Sequence, residues 1–175
     1  MSVRDLAAAL DRAEAVFHRR PSAGLHDDMP GVARWKGGSR TVARHACGHE
    51  IETDLPVELG GAGGISPGWF VRAGLANCTA TCVALEAARA GIELDLLEVT
   101  AASRSDVRGL LGMVDADGTP VYSGFQALKI EVRIAAQGVP AERLRALVEA
   151  GQAISPMTAV VRDAQDVGLS IEVAN

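Results

Sequence analysis

The segment from Ser66 to Gly91 is the least polar part of the chain, and it constrains the fold more than any other feature. It reads SPGWFVRAGLANCTATCVALEAARAG, with few clearly polar side chains. Ser66 suits the N-cap, Pro67 the first helical position and Gly91 the residue that ends a helix. The segment therefore predicts one long, buried helix whose surface faces protein on most sides.

The first 20 residues predict an amphipathic helix. Apolar residues recur there at helical spacing, at Leu6, Ala9, Leu10, Ala13, Val16 and Phe17. A helix of this length is too short to fold alone, so we expect it to dock on the rest of the chain. The residues that follow, with Pro21, Gly24, Pro30 and Gly31, predict a connector.

The order of the remaining patterns predicts an α+β fold. We expect a hairpin with arms 40–47 and 49–58, a strand with a shift of phase after Gly91, a loop over 104–124, a strand over 128–134, a helix from Pro140, a break or second helix from Ser155 to about Gln165, and a final strand with Leu169, Ile171 and Val173. Antiparallel sheets would then enclose the apolar helix. Because one copy offers little to cover such a helix, we also expect a homodimer.

Composition excludes several classes of partner. The formal net charge of −5 and the 3% of aromatic residues argue against nucleic acid, which selects basic and aromatic surfaces. The longest apolar run falls short of the ~18 residues of a membrane-spanning helix, and no signal-peptide core is present. Three cysteines, an odd number, do not make a secreted disulfide framework, so the cytoplasm is the expected location.

Cys78 is the first candidate for chemistry. It lies too far from the helix start for the helix dipole to support a thiolate, so a reactive Cys78 needs a neighbouring cation such as an arginine. The residues alone leave two interpretations, a core side chain or a reactive thiol, and the first is the commoner role of a buried cysteine. Cys82 falls on the same helix face, where the pair can chelate a soft metal, form a strained disulfide or simply pack.

Two other motifs carry weaker signals. His45, Cys47 and His49 alternate along an apparent strand, which would suit zinc if a fourth ligand joined them, although side chains at a hairpin tip are the simpler interpretation. The GGAGG run lacks the Gly-Lys-Ser/Thr ending of a phosphate loop and is interpreted as a flexible link. We therefore predict neither a metal nor a cofactor.

Several segments in order resemble the OsmC/Ohr family, which comprises osmotically induced protein C and the organic hydroperoxide resistance proteins. They are GHEIETDLPVELGGAGGISPGWFVRAGLANCTATC, ALEAARAGIELDLLEV and ALKIEVRIAAQGVPAERLRALVEAGQAISPM. The likeness runs from about Gly37 to Val173. It implies an N-terminal extension over 1–20 and an OsmC-like domain over 37–175.

The resemblance implies an intertwined homodimer with two long helices at its centre and a six-stranded sheet in each half. It also implies a thiol peroxidase that reduces organic hydroperoxides. In that family a cysteine at the position of Cys78 attacks the peroxide and becomes a sulfenic acid. A second cysteine on a later helix then forms a disulfide, which a dithiol such as a lipoylated protein reduces.

The chain departs from the family at three places. The family's second cysteine precedes a proline, where this chain has Ile154-Ser155-Pro156. The glutamate that follows the helix-opening proline is Gly68 here. Ser39 takes the place of the catalytic arginine, with Arg40 beside it, and Arg72 is a further candidate cation.

We therefore expect an OsmC-like redox protein with an atypical, one-cysteine site. Cys78 would be catalytic, Arg40 and Arg72 its candidate cations, Cys82 the candidate resolving thiol, and an external thiol or dithiol the reductant. The alternative is a non-catalytic protein of the same fold that binds an apolar small molecule at its dimer interface. Neither hypothesis includes a nucleic acid or a membrane partner.

Overall fold

The computed structural model describes residues 2–174, which form a mixed α+β chain with antiparallel sheets. In chain order its elements are α1 (Val3–Arg19), a 3-10 turn (Pro21–Gly24), β1 (Val32–Gly37), β2 (Arg40–Arg44), β3 (Glu50–Thr53), a second 3-10 turn (Val57–Leu59), α2 (Pro67–Arg89), β4 (Leu96–Arg104), α3 (Val107–Leu110), β5 (Gln126–Ala135), α4 (Ala141–Ala153) and α5 (Pro156–Asp163). None of the helices in this described part is long and apolar enough to cross a membrane.

Helix α2 begins and ends where the sequence predicts. Gly91 has a φ of +66°, a left-handed conformation that costs a glycine little and that terminates the helix. Ser66 occupies the N-cap, but the expected side-chain cap is wrong, because its side chain accepts no hydrogen bond there. Its backbone carbonyl instead accepts from the Trp69 N–H.

Helix α2 is only partly buried within the chain. Helices α1, α4 and α5 and strand β4 pack against it. The buried residues of α2 are Leu75, Thr79, Cys82, Val83, Ala87 and Ala88. The other positions are half-buried or exposed, so the predicted burial on most sides is not reached within the described residues.

The N-terminal sheet has the order β1-β2-β3 and is antiparallel throughout. The predicted hairpin is present as β2 and β3, with Ala43 opposite Ile51, although both strands are shorter than expected. The prediction of a connector is wrong over 32–37, where the chain forms β1. Every β1 side chain is exposed apart from the terminal glycine, so the strand lacks the apolar alternation that reveals a half-buried strand in a sequence.

Strands β4 and β5 pair antiparallel in a second sheet. The shift in the alternation of apolar residues after Gly91 marks the start of β4. Ile92 and Leu94 precede the strand and pack on the core cluster of α2 and α4. The register irregularity lies further on, between Ala102 and Arg104. The predicted loop over 104–124 is mostly irregular but includes the short helix α3.

The final strand predicted from Leu169, Ile171 and Val173 is wrong for this chain. The segment forms no strand, and these side chains are 86%, 76% and 81% exposed. A strand needs a neighbouring strand for its backbone N–H and C=O groups, and neither sheet of the chain extends to this segment. Ser155, in contrast, starts the predicted second helix, and its hydroxyl caps α5.

Helix α1 docks on α2, as expected from its apolar stripe. A capping box fixes its start, in which Ser2 accepts from the Asp5 N–H and the Asp5 carboxylate accepts from the Ser2 N–H. Arg89 at the end of α2 holds α1 by donating to the Glu14 carboxylate at 2.8 Å. This surface ion pair adds little stability by itself and mainly fixes where α1 lies.

The contact between α2 and α4 depends on the absence of a side chain at Gly151. A Cβ built there would lie 2.6 Å from the Val83 backbone nitrogen and 2.7 Å from its Cα. Ala87, Leu144 and Leu147 form the adjoining buried cluster. The two helix backbones therefore meet at a glycine, which sets how α4 crosses α2.

We expect Gly151→Ala to lower the free energy of unfolding by about 1–3 kcal/mol, the usual cost of overpacking a core. Helix propensity alone would give the opposite sign, a gain of about 1 kcal/mol. Gly31→Ala is the matched control, because nothing lies within 4 Å of its built Cβ. Urea unfolding of both variants checks the sign, and a stabilised Gly151→Ala would contradict the close contact.

Candidate functional site

Cys78 and Cys82 lie one turn apart on α2 and differ in accessibility. Cys78 is half-buried, whereas Cys82 is only 6% exposed. The Cys82 S–H points toward the Ile154 carbonyl oxygen, 3.9 Å away. Burial, and next the neighbouring Cys78, raise the pKa of the Cys82 thiol above its ordinary value. Cys78 is therefore the more accessible of the two thiols of α2.

The start of α5 lies beside the Cys82 thiol. Ser155 is 1% exposed, and its Oγ accepts from the Thr158 N–H at 3.4 Å. The resemblance places the family's second cysteine in this segment, just before Pro156. The chain thus has the buried hydroxyl of Ser155 at that position. The Cys82 sulfur, on α2, lies beside the residue before it, Ile154.

The space beside Gly68 is filled by Phe125. A Cβ built on Gly68 would lie 3.1 Å from two atoms of the Phe125 ring. The Arg72 guanidinium lies over the same ring, 5.9 Å from its centroid, and its Nη1 is 3.5 Å from the Ser103 hydroxyl. Sequence reasoning missed Phe125 because nothing in its local pattern places it against α2. The Phe125 ring therefore occupies the space beside Gly68, where the resemblance implies a glutamate that pairs with an arginine.

Arg72 and Cys78 face different sides of α2. Six residues of α-helix advance about 9 Å along the axis and rotate by about 600°, which leaves the two side chains some 120° apart. Arg72 is directed instead toward Phe125 and the Ser103 hydroxyl. Within one chain, the structure does not bring these two candidate residues together.

Arg40 lies near a carboxylate on the N-terminal sheet and, within the described residues, does not contact Cys78. It starts β2, its side chain is about half exposed, and its guanidinium lies 3.9 Å from the Glu52 carboxylate on β3. Among residues 2–174, neither Arg40 nor Arg72 is hydrogen-bonded to a cysteine sulfur. The candidate nucleophile and the candidate cations therefore remain separate within one chain.

Asp54 anchors the glycine-rich link that leads into α2. Its carboxylate accepts from the Ser39 hydroxyl, from the Leu55 N–H at 2.7 Å and from the Ala62 N–H at 2.8 Å. The Ser39 hydrogen bond, and next the Ala62 N–H, hold the pKa of Asp54 below its ordinary value. Ser39, which takes the place of the family's arginine, thus orders the path into the helix.

The hairpin tip brings two of the three predicted metal-ligand candidates together. His45 Nδ1 lies 2.7 Å from the Cys47 sulfur. His49 meets His45 through its backbone carbonyl, which accepts from the His45 N–H at 2.9 Å. In the described part of the chain, no group of three or more His, Cys, Asp and Glu side chains is arranged to hold a metal ion.

The antiparallel sheets and the half-buried cysteine on the longest helix define a class of mixed α+β proteins that carry a thiol on a helix packed against a sheet. The sequence model of the OsmC family, described as OsmC-like protein, matches residues 60–170. The chain belongs to this family. No curated protein matches the chain.

Solved structures share the fold. An OsmC-like protein from Mycoplasma pneumoniae is 16% identical, with 80% of this chain and 91% of that chain covered and a TM-score of 0.64. Organic hydroperoxide resistance proteins from Elizabethkingia anophelis and Legionella pneumophila are each 23% identical. They cover 81% and 85% of this chain, and 92% and 100% of their own chains are covered, with TM-scores of 0.58 and 0.55. At these identities the likeness concerns the fold alone.

We expect iodoacetamide to alkylate Cys78 at least about tenfold faster than Cys82 in the native protein. Burial restricts access to Cys82, and its raised pKa leaves less thiolate at neutral pH. Peptide mass spectrometry after timed quenching reports both sites in one sample, and the denatured protein is the control. Equal rates in the native state would contradict the difference in burial.

The Asp54 anchor predicts a dependence of stability on pH. Because its pKa is lower in the folded state, its contribution is complete above its ordinary value of 3.8 and is lost as the pH falls through the folded value. Asp54→Asn should therefore lower the unfolding midpoint at pH 7, by an amount that shrinks on acidification below 3.8. Asp28→Asn is a control, because that side chain is exposed. A deficit independent of pH would contradict this role.

Proposed function

We propose that the chain is a thiol-dependent reductase of organic hydroperoxides that works through Cys78. Membership of the OsmC-like family supports the proposal, as do the printed descriptions of two structural relatives as organic hydroperoxide resistance proteins. The observation that carries it is the difference between the two thiols of α2. Cys78 is half-buried and open to a small reagent, whereas Cys82 is buried.

The proposed first step is a nucleophilic displacement at the peroxide. The Cys78 thiolate attacks the distal oxygen, an S–O bond forms as the O–O bond breaks, and the alkoxide takes up a proton and leaves as the alcohol. Sulfur is oxidised to the sulfenic acid, and the peroxide is reduced. No other group has to change its oxidation state in this step.

The second step uses an external thiol or dithiol. A thiolate attacks the sulfenic sulfur, water leaves and a mixed disulfide forms, which a second thiol resolves. Cys82 is the internal candidate for this attack because it lies four residues away on the same face. Its raised pKa and the strain of a disulfide within a helix both slow that route. A one-cysteine cycle is therefore the main route that we propose.

The arrangement of cations predicts slow chemistry within one chain. Arg40 pairs with Glu52, and Arg72 lies against Phe125. An arginine beside the sulfur stabilises a thiolate, and this chain supplies none from its own α2. We propose Arg40 and Arg72 as the cations to test, with Cys78 reacting more slowly than a cysteine that has an arginine beside it.

We propose that the active form is a homodimer in the cytoplasm. Alternating apolar side chains at Val167, Leu169, Ile171 and Val173 are exposed, and most residues of α2 are not fully buried. A second copy would supply a strand edge for that segment and a surface for the half-buried part of the helix. A reducing compartment would keep all three cysteines as thiols.

The alternative is a non-catalytic protein of the same fold that binds an apolar small molecule at the dimer interface. The ring of Phe125 beside Gly68 favours it, because an apolar side chain replaces a charged group there. Mass spectrometry of natively purified protein distinguishes the two hypotheses. A stoichiometric apolar molecule that is released unchanged would support the alternative.

We expect reduced protein treated with cumene hydroperoxide and dimedone to carry a dimedone adduct on Cys78. Cys78→Ser should remove most of the peroxide consumption, because the attacking sulfur is removed. Cys82→Ser is the matched control and should retain both the Cys78 adduct and the peroxide consumption. Peptide mass spectrometry locates the adduct. Unchanged peroxide consumption in Cys78→Ser protein, or no adduct on Cys78 in the wild type, would refute the proposal.

The proposed dimer predicts that Leu169→Asp with Ile171→Asp weakens association. The substitutions remove apolar surface from the contact, and association would bury an unpaired carboxylate, which is costly. The monomer fraction should therefore rise. Light scattering coupled to size exclusion measures the mass. Asp166→Asn is the control because it lies just outside the apolar alternation. A wild-type mass of one chain at micromolar concentration would refute the dimer.

A further inference from the structure

The tip of the β2–β3 hairpin holds the third thiol of the chain, which the proposed peroxide reduction does not use. Cys47 is exposed, and its sulfur lies 2.7 Å from His45 Nδ1. A turn closes the tip, with the Gly48 N–H donating to the His45 carbonyl at 2.9 Å and with Gly48 in the left-handed region at a φ of +93°. The turn thus keeps His45 and Cys47 side by side.

The hydrogen bonds at the tip indicate which atoms donate and which atom accepts. The Cys47 N–H donates to His45 Nδ1 at 3.2 Å, so Nδ1 carries the lone pair and the neutral ring carries its proton on Nε2. Because Nδ1 then has no proton to donate, the short contact places the Cys47 S–H on the same lone pair, which the N–H and S–H donors share. A nucleophile whose proton points at a basic nitrogen is the arrangement of an activated thiol.

A hollow of about 310 Å³ adjoins His45. Met29, Pro30 and Val32 line it with apolar side chains, and Arg34 and Arg44 line it with guanidinium groups. Arg44 already pairs with Glu50 at 3.4 Å, whereas Arg34 makes no ion pair within residues 2–174. Apolar side chains with a free guanidinium suit a small organic molecule that carries a carboxylate.

We propose that Cys47 and His45 form a thiol–disulfide exchange site for a small, carboxylate-bearing disulfide, with Arg34 recognising the carboxylate. The Cys47 sulfur attacks one sulfur of the disulfide as its proton passes to His45 Nδ1. A new S–S bond to Cys47 forms as the old one breaks, and the departing thiolate takes up the proton from His45 and leaves as a small thiol. Cys47 is oxidised to a mixed disulfide, and the departing sulfur is reduced, so no further oxidant is needed.

The test uses the full chain and glutathione disulfide as the probe, with the rate of the mixed disulfide on the Cys47 peptide followed by mass spectrometry. His45→Asn should slow that rate about tenfold or more, because it removes the base. His49→Asn is the matched control and should change it by less than about twofold. Added imidazole should restore part of the rate in His45→Asn protein, which a merely structural role of His45 would not allow.

The class of ligand is tested separately with hydroxyethyl disulfide, a neutral probe. Arg34→Gln should slow the reaction of Cys47 with glutathione disulfide several-fold and leave the reaction with the neutral probe unchanged. Equal slowing with both probes would overturn the recognition of a carboxylate. Equal rates in wild-type and His45→Asn protein, or no adduct on Cys47, would overturn the exchange site, whatever the behaviour of Cys78.

Discussion

The close approach of α2 and α4 at Gly151 is the constraint on which the arrangement of the thiols depends. The glycine lets the backbone of α4 reach the Val83 backbone, one residue after Cys82. Helix α5 follows α4 directly, so this approach also places Ile154 beside the Cys82 sulfur. Cys82 is buried as a consequence, and Cys78, one turn earlier, remains the open thiol. The difference in accessibility between the two thiols of α2 therefore follows from how tightly two helices pack.

Most of the fold could be predicted from the sequence because its patterns are local. The long apolar helix, the alternating strand β5 and the helix that begins at Ser155 all have signals within a few residues, and all are present. Strand β1 was missed because its side chains are exposed, and the strand predicted around Ile171 is absent because a strand depends on a partner that a local pattern does not supply. Local periodicity reports what a segment prefers, whereas pairing depends on residues far away in the chain.

The candidate site was predictable in its residues but not in its contacts. The apolar helix pattern and the segments that resemble the family indicate Cys78 and Cys82, which are neighbours on one face of α2. The partners of Arg72 were not foreseen, because contact with Phe125 joins residues more than fifty positions apart and involves a space that only Gly68 leaves. The hydrogen bonds by which Asp54 holds the glycine-rich link are also absent from any local pattern, because Ser39 and Ala62 donate to its carboxylate from two separate loops.

The central claim is that Cys78 reduces a peroxide once per chain before any reductant is needed, and a single-turnover titration tests it most directly. Reduced protein is mixed with one equivalent of cumene hydroperoxide per chain in the absence of added thiol, and the alcohol formed is quantified along with the free thiol at each cysteine. The account predicts about one equivalent of alcohol per chain, in step with the loss of the Cys78 thiol. No alcohol, or alcohol formed while Cys78 remains a free thiol, would contradict it.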